Sequence, residues 1–464
     1  MRNTGDDTQD QHLPQTASVA VSRTATSTAA GKHGGTVTQH PRPTRGLVCI
    51  FPRRMDEAAR VWTVQKPATI GRSHQAVVRL DDQKVSRLHA EVEPGQQGLV
   101  VRDRGSRHGT FVNGRPVGTQ DVKLADGDLM RVGDSLLLVV GDVAGWDAPP
   151  RSIRASALGL HRDVLAGPRL AEVIDQAARV AELDYPILVL GESGSGKEII
   201  ARVIHAARPN PGPFVGLNMA AVPASLFEAE LFGHERGAFT GANVARLGAF
   251  REANGGVLFL DEVADLTFDL QAKLLRAIDL QRVRPIGASA DVTVKVRVVA
   301  ATSRNLHALC ESDRFRPDLY YRLAGVVIQV PPLRERRDEI LLLALGMIAD
   351  DSPGLRLTAD TAEMLATAPW KGNVRNLRRA MTHAISSAVA AKRKDIFPSD
   401  LPDLQPIEAM AIDSPGLTPE RLRAAMLRAD GVAWRAAEEL GMPRSTFYNT
   451  CKRFGLKPRD LRGR

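Results

Sequence analysis

The chain has 464 residues, 43% of them hydrophobic, which is material for about three cores rather than one. The formal net charge of +9 is uneven, since residues 418–464 hold 11 Lys and Arg against 5 Asp and Glu, a basic block of the kind that binds nucleic acid. Cys49, Cys310 and Cys451 are scattered without a CxxC, no apolar run approaches the roughly 18–20 residues of a membrane span, and no signal-type stretch opens the chain, so the reading is a cytoplasmic protein with no membrane partner.

Residues 1–44 are rich in Thr, Ala, Ser, Gln and Gly and lack the large apolar side chains that offset chain entropy, so they read as a disordered leader. Residues 45–143 break into short β-type runs such as GLVCIF, RVWTV, HAEVE and SLLLVV between Gly and Asp turns, the texture of an all-β sandwich. A short linker, 144–157, contains GWDAPPRS. Over 158–333 the buried-strand candidates PILVL, PFVGLN, GVLFLDE and VRVVAAT alternate with helix-length segments, which predicts an α/β unit with a parallel sheet covered on both faces. Residues 334–400 read as a helical subdomain, 401–417 as a Pro-rich linker, and 418–464 as a small all-α module. The whole is multidomain.

The chemistry is densest at GESGSGKE, which follows the strand ILVL and precedes the helix EIIARVIHAA. This is a phosphate-binding loop in its proper strand–turn–helix setting. Gly191, Gly194 and Gly196 let the backbone N–H groups of the segment, Glu192, Ser193 and Ser195 included, curl around phosphates, while Lys197 and the helix N-terminus add positive charge. Glu198 stands where Ser or Thr ordinarily touches Mg²⁺, which shifts that task to Asp261 and water. Asp261 and Glu262 end the apolar strand GVLFLDE. An acidic pair there is costly unless it works, so Asp261 is assigned to Mg²⁺ and Glu262 to polarising the water that attacks ATP.

Between these two motifs lies ELFGHERGAFTGA, and here the chain resembles the sigma-54-dependent bacterial enhancer-binding proteins, which are AAA+ ATPases. FRPDLYYRL, PPLRERRDEI and WKGNVRNLRRA extend the resemblance over about 240 residues. It implies that the loop Gly237, Ala238, Phe239, Thr240, Gly241 and Ala242 pushes on the sigma-54 RNA polymerase holoenzyme. It further implies that Arg316 and Arg322 are arginine fingers donated to a neighbouring subunit, hence a homo-oligomer, a hexameric ring. Arg375 would sense nucleotide from the lid, and Asn218 would couple Glu262 to the nucleotide state. After VVAAT the family usually carries Asn as γ-phosphate sensor; this chain carries Ser303, which reaches less far.

The β-rich front contains IGRS, VSRLHAEV and GSRHGTFVNG and resembles the forkhead-associated (FHA) domain, a reader of phosphothreonine. The resemblance implies phosphate ligation by Arg72 and Ser86 with added charge from Arg87, a grip on the peptide backbone by Asn113, and a structural brace in His89. The ligand is a phosphothreonine-containing protein or the chain's own phosphorylated leader, where nine threonines, Thr24, Thr26, Thr28, Thr36 and Thr38 among them, precede the domain. WRAAEELGMPRSTFYNTCKRFGL resembles a Fis-type helix-turn-helix, in which Arg444, Ser445, Thr446, Tyr448, Asn449, Lys452 and Arg453 would face upstream activator DNA.

Overall fold

The computed structural model describes residues 43–402 except 55, 56, 97, 119, 240 and 241, then 404, 418–429, 432–440 and seven positions between 442 and 456. The leader reading over 1–42, and most of the linker before the C-terminal module, lie outside the described residues.

The first unit is a sandwich of eleven strands: β1 Gly46–Phe51, β2 Arg60–Thr63, β3 Ala68–Gly71, β4 Val78–Arg79, β5 Ala90–Pro94, β6 Leu99–Asp103, β7 Thr110–Val112, β8 Arg115–Pro116, β9 Val122–Leu124, β10 Leu129–Val132 and β11 Ser135–Val140. One sheet runs β2-β1-β11-β10-β7-β8 and the other β4-β3-β5-β6-β9. A half-buried strand alternates apolar and polar residues, but β1 and β11 are apolar at nearly every position. The reason is that each of these strands feeds two cores. Leu47, Cys49, Leu137 and Val139 point into the sandwich, whereas Val48, Ile50, Leu136, Leu138 and Val140 join a second core shared with the C-terminal helices of the next unit.

That next unit is built on a five-stranded parallel sheet. Its strands are β12 Ile187–Leu190, β13 Phe214–Asn218, β14 Val257–Asp261, β15 Arg297–Thr302 and β16 Val326–Gln329, in spatial order β13-β14-β15-β12-β16. The four strands expected from sequence are present, and β16 is a fifth at the edge. Alternate residues again serve two faces: Val257, Phe259, Val299 and Ala301 pack with helices α1 Pro168–Val180 and α2 Lys197–Ala206, while Leu258, Leu260, Val298 and Ala300 pack with α3 Phe268–Leu280 and α4 Pro317–Leu323. The helical subdomain follows as α5 Arg337–Asp351, α6 Ala359–Thr367 and α7 Asn373–Ala390. Two further helices, α8 Pro419–Arg428 and α9 Ala433–Glu439, share a small core with Phe447, Cys451 and Leu456.

The segment read as a linker at 144–157 is built in: Trp146 is buried in the shared core, and Arg151–Ile153 pairs with Val164–Ala166. The sandwich also packs on the helical subdomain, where α5 and α6 lie directly against β1, β10 and β11. Arg131 of β10, 5% exposed, crosses this junction to Asp360 (2.6 Å) and Glu363 (2.9 Å) of α6.

The same junction buries Asp338 at the start of α5, whose Oδ2 has no hydrogen-bond partner among the described residues. A side chain at Gly167, just before α1, would meet this carboxylate at 2.1 Å and would have to displace it. Burial pushes the Asp338 carboxyl up to about 6, although Arg53, Arg169 and Arg336 pull it back. The folded state therefore holds a proton that the unfolded state releases near pH 4, and stability falls as pH rises from about 4 through 6. Asp338→Asn is expected to raise the unfolding free energy by about 3 kcal/mol at pH 7 and to leave it unchanged at pH 3.5, read from urea titrations at the two pH values.

Candidate functional site

Parallel strands deliver their C-terminal ends to one edge of the sheet, and the expected site residues of the α/β unit gather there. The loop after β12 carries residues 191–196, with Gly194 and Gly196 at φ +75° and +110°. Lys197, 6% exposed at the start of α2, donates to the Gly191 carbonyl (3.0 Å) and to Glu262 Oε1 (3.1 Å). Glu262 follows β14 in left-handed backbone (φ 55°) and accepts from Ser303 twice, from the backbone N–H at 3.0 Å and the hydroxyl at 2.9 Å. Burial alone would raise the Glu262 carboxyl, but the Ser303 N–H and the Lys197 ammonium outweigh it and hold the group below the usual carboxylate range. Asp261 goes the other way: burial raises it, and the Lys197 charge only partly compensates. Two neighbouring carboxyls thus have opposed tendencies, one kept as an anion and one short of positive charge.

Several assignments take a different geometry from the expected one. Asn218 sits opposite Asp261 in the β13–β14 register and donates to Asp261 Oδ2 (3.0 Å), so it touches the Mg²⁺ candidate rather than Glu262. Ser303 grips Glu262. Glu198 pairs with Arg202 one helical turn on (2.9 Å), its carboxylate half exposed. Arg316 and Arg322 pair with Asp318 (2.8 Å) and Asp279 (2.7 Å), and neither lines the cavity of its own chain.

That cavity, about 490 Å³, is bounded by residues 193–199, Asp261 and Glu262 on one side and by the helical subdomain on the other. Arg375 lines it and donates to Ser193 Oγ (3.1 Å). Sequence reasoning missed much of the remaining wall. Residues 160–165 carry no recognisable motif. Arg336 and Glu339 lie inside the motif PPLRERRDEI without an expected role, as does Asn373, which stands behind the wall in WKGNVRNLRRA. Buried Arg336 donates to the Ser195 carbonyl (2.9 Å) and to Glu339 (2.9 Å). Asn373, fully buried, donates to Glu192 (3.1 Å) and to the Ser193 carbonyl (3.0 Å) while accepting from Leu333 N–H (2.7 Å). The subdomain is thereby clamped onto the phosphate-binding loop.

In the sandwich, three loops meet at Ser86. Arg72 and Ser73 donate their N–H groups to the carbonyls of Ser86 and Arg87, and the N–H of Arg107 reaches Ser86 Oγ (3.3 Å). His89 accepts from Ser86 N–H through Nδ1 (3.0 Å) and contacts the Gly109 carbonyl through Nε2 (3.2 Å), which ties two loops together. Arg72, Arg87 and Arg107 are all exposed around this point. Asn113 departs from its assigned role. Both ends of its amide are committed within the fold, Nδ2 to Asp128 (2.8 Å) and Oδ1 to Leu129 N–H (3.0 Å) and Arg337 (2.8 Å), so it braces a turn instead of offering itself to a peptide.

In the GAFTGA segment Gly237 takes φ +80°, its N–H donates to the Ala242 carbonyl (2.8 Å), and Ala242 N–H returns to the Phe239 carbonyl (3.0 Å). The turn leaves Phe239 40% exposed with its ring 4.9 Å from His234, and Val244 and Leu247 are exposed nearby. Thr240 and Gly241 lie outside the described residues, as do Arg444, Ser445, Thr446, Asn449, Lys452 and Arg453. Tyr448 is half-buried, and its hydroxyl reaches Asp360 of α6 (3.4 Å), so it faces the helical subdomain rather than an open surface.

Among the described residues no cluster of three metal-ligating side chains occurs, and no helix is long and apolar enough to cross a membrane. Residues 164–329 match the family described as the sigma-54 interaction domain, residues 68–133 the FHA domain, and residues 334–408 the AAA+ ATPase lid domain. The hydrogenase transcriptional regulatory protein HoxA of Cupriavidus necator is 42% identical over 324 residues, 65% of this chain and 67% of that protein. The transcriptional regulatory protein GlrR of Escherichia coli is 34% identical over 403 residues, 83% and 87% of the two chains. A crystal structure of NtrX from Brucella abortus, 31% identical, covers 63% of this chain and 69% of that one with a TM-score of 0.49.

The lid clamp makes one position especially sensitive. A methyl group at Gly194 would sit 2.7 Å from the Gly372 carbonyl, in a backbone conformation that costs an L-residue roughly 1–2 kcal/mol by itself. Gly194→Ala is expected to lower the denaturation midpoint of the α/β unit and to widen the separation of lid and loop. Distance measurement between spin labels on the two elements reads the second effect.

Proposed function

The chain belongs to the family of transcriptional regulators built on a sigma-54 interaction domain, and from that premise we propose that it is an ATP-hydrolysing activator of sigma-54 RNA polymerase, governed by phosphothreonine binding at its FHA domain. The observation that carries this reading is the Lys197–Glu262–Ser303 constellation at the floor of the lid-covered cavity. ATP enters with its phosphates on the N–H groups of residues 191–196 and on Lys197. Asp261, short of positive charge and steadied by Asn218, is the residue to hold Mg²⁺, which supplies charge neutralisation for the phosphates. When the phosphates draw the Lys197 ammonium toward themselves, Glu262 loses one of the groups that suppress its basicity and is freed to orient the attacking water. Ser303 remains as the tether that reports this change. Arg316 and Arg322, on the outside of their own subunit, suit donation to a neighbour's ATP in a ring, a hexamer by the family resemblance, where a fixed guanidinium fork neutralises phosphate charge.

The Phe239 loop carries the work outward to the polymerase. An apolar side chain held at a glycine-flanked tip is a contact surface in search of a partner. The basic C-terminal module supplies attachment to upstream DNA through Arg444, Ser445, Thr446, Asn449, Lys452 and Arg453, and Arg72, Ser86, Arg87 and Arg107 form the phosphothreonine pocket. A phosphorylated partner protein and the leader threonines are both candidate ligands. The setting is the cytoplasm, where the polymerase is.

A silent ATPase that serves only as a phosphopeptide scaffold is the competing reading, and hydrolysis assays separate the two. Lys197→Ala is expected to abolish binding of a fluorescent adenine nucleotide. Glu262→Gln should retain binding and lose roughly 10²–10⁴-fold in phosphate release, the range for removal of a general base. Equal turnover in wild type and Glu262→Gln overturns the assignment.

Phe239→Ala is expected to behave oppositely, keeping ATP turnover within about twofold while losing open-complex formation by sigma-54 polymerase on a supercoiled template. Parallel loss of both activities would place the loop within the ATPase site instead.

A further inference from the structure

Two residues adjacent in the chain face different domains. Arg336 is buried and donates to the carbonyl of Ser195 in the phosphate-binding loop. Arg337, the first residue of α5, donates to Asn113 Oδ1 in the turn after β7 (2.8 Å). Strand β7 is three residues long, about 10 Å. Its other end is the 104–109 loop, which touches Ser86 Oγ through Arg107 N–H and His89 through the Gly109 carbonyl. The FHA anion pocket and the nucleotide loop are therefore joined by one short strand, two arginine side-chain hydrogen bonds and the peptide unit between those arginines.

The junction is not a loose one. β1, β10 and β11 of the sandwich and α5 and α6 of the lid close over a common apolar core, with Val48, Ile50 and Leu138 in the same cluster as Ile340, Leu341 and Leu365. Arg131 and Glu363 form a desolvated ion pair across it, 6% and 8% exposed in their side chains. Domains that meet through small polar contacts move independently by default, but a large apolar interface with buried charge pairs makes them one body.

We propose that the FHA sandwich is a fixed wall of the ATPase lid, and that phosphothreonine occupancy at Ser86 and nucleotide occupancy at residues 191–197 change each other's affinity through Asn113, Arg337 and Arg336. This rests on the nucleotide and phosphothreonine readings given above and adds how the second governs the first. The linkage is reciprocal by thermodynamic necessity, so it can be read from the nucleotide side without a known phosphopeptide.

The test is hydrogen–deuterium exchange of the full chain with and without Mg·ADP. Wild type is expected to slow exchange at residues 191–197 and also at residues 104–113, the latter on the order of fivefold or more, the lower end of usual site-to-site coupling. Arg337→Ala, half-buried and outside the cavity wall, should keep the slowing at 191–197 and lose it at 104–113. Arg131→Met, which loosens the interface without touching either site, should do the same and serves as the second variant. Slowing confined to 191–197 in wild type overturns the linkage while leaving nucleotide binding intact. So does a 104–113 response that survives in both variants. Slowing in neither segment overturns the nucleotide reading and the linkage with it.

Discussion

Helix α5 has no face left for solvent along most of its length. Asp338, Glu339, Ile340, Leu341, Leu342, Ala344, Met347 and Ile348 are all buried, and a helix that is apolar on every side needs walls on every side. The walls are the strand Val164–Ala166 and the start of α1 just after it, the lid helices α6 and α7, and the outer face of the sandwich. Remove any one and a stripe of apolar side chains meets water. The arrangement of three folding units about one helix follows from that constraint.

Burial of this helix carries charged groups inside with it. Arg336, Asp338 and Glu339 are each 2% exposed or less, and burial pushes Glu339 up to about 8 despite the guanidinium beside it. Ion pairs this deep add little net stability because desolvation cancels most of the attraction, but they penalise every arrangement in which a partner is misplaced. At the start of α5 the hydrogen bond from Arg336 to the Ser195 carbonyl sets the register of lid against loop, and the Arg131–Glu363 ion pair sets the register of sandwich against lid. The cavity over residues 193–199 and the loops around Ser86 take their relative positions from these contacts.

The cavity's own electrostatics divide along the same lines. Burial raises the Asp261 carboxyl and the Lys197 charge offsets this only in part, whereas Glu262 is supplied with enough donors to be held low. Ser303 is shorter than the Asn that the family resemblance leads one to expect, and its contact with Glu262 is made as much by backbone as by side chain. A backbone N–H needs no reach, which is why the shorter residue serves here.

Local signals in the sequence were sufficient for the elements and for the nucleotide loop. Glycines at 191, 194 and 196 between an apolar strand and a helix admit one backbone path, and the acidic end of GVLFLDE admits one side of the sheet. The runs GLVCIF and SLLLVV announced strands of a sandwich, although nothing local says that their outer faces are covered or by what. That was decided only by the tertiary structure. Asn218 reaches Asp261, Tyr448 reaches Asp360, Asn113 reaches Arg337 and Arg131 reaches Glu363 across 43 to 232 positions of chain, so these contacts followed from packing and not from spacing. A motif fixes the backbone it is written in. Where an amide or a guanidinium finds its partner depends on which surfaces the apolar helices force together.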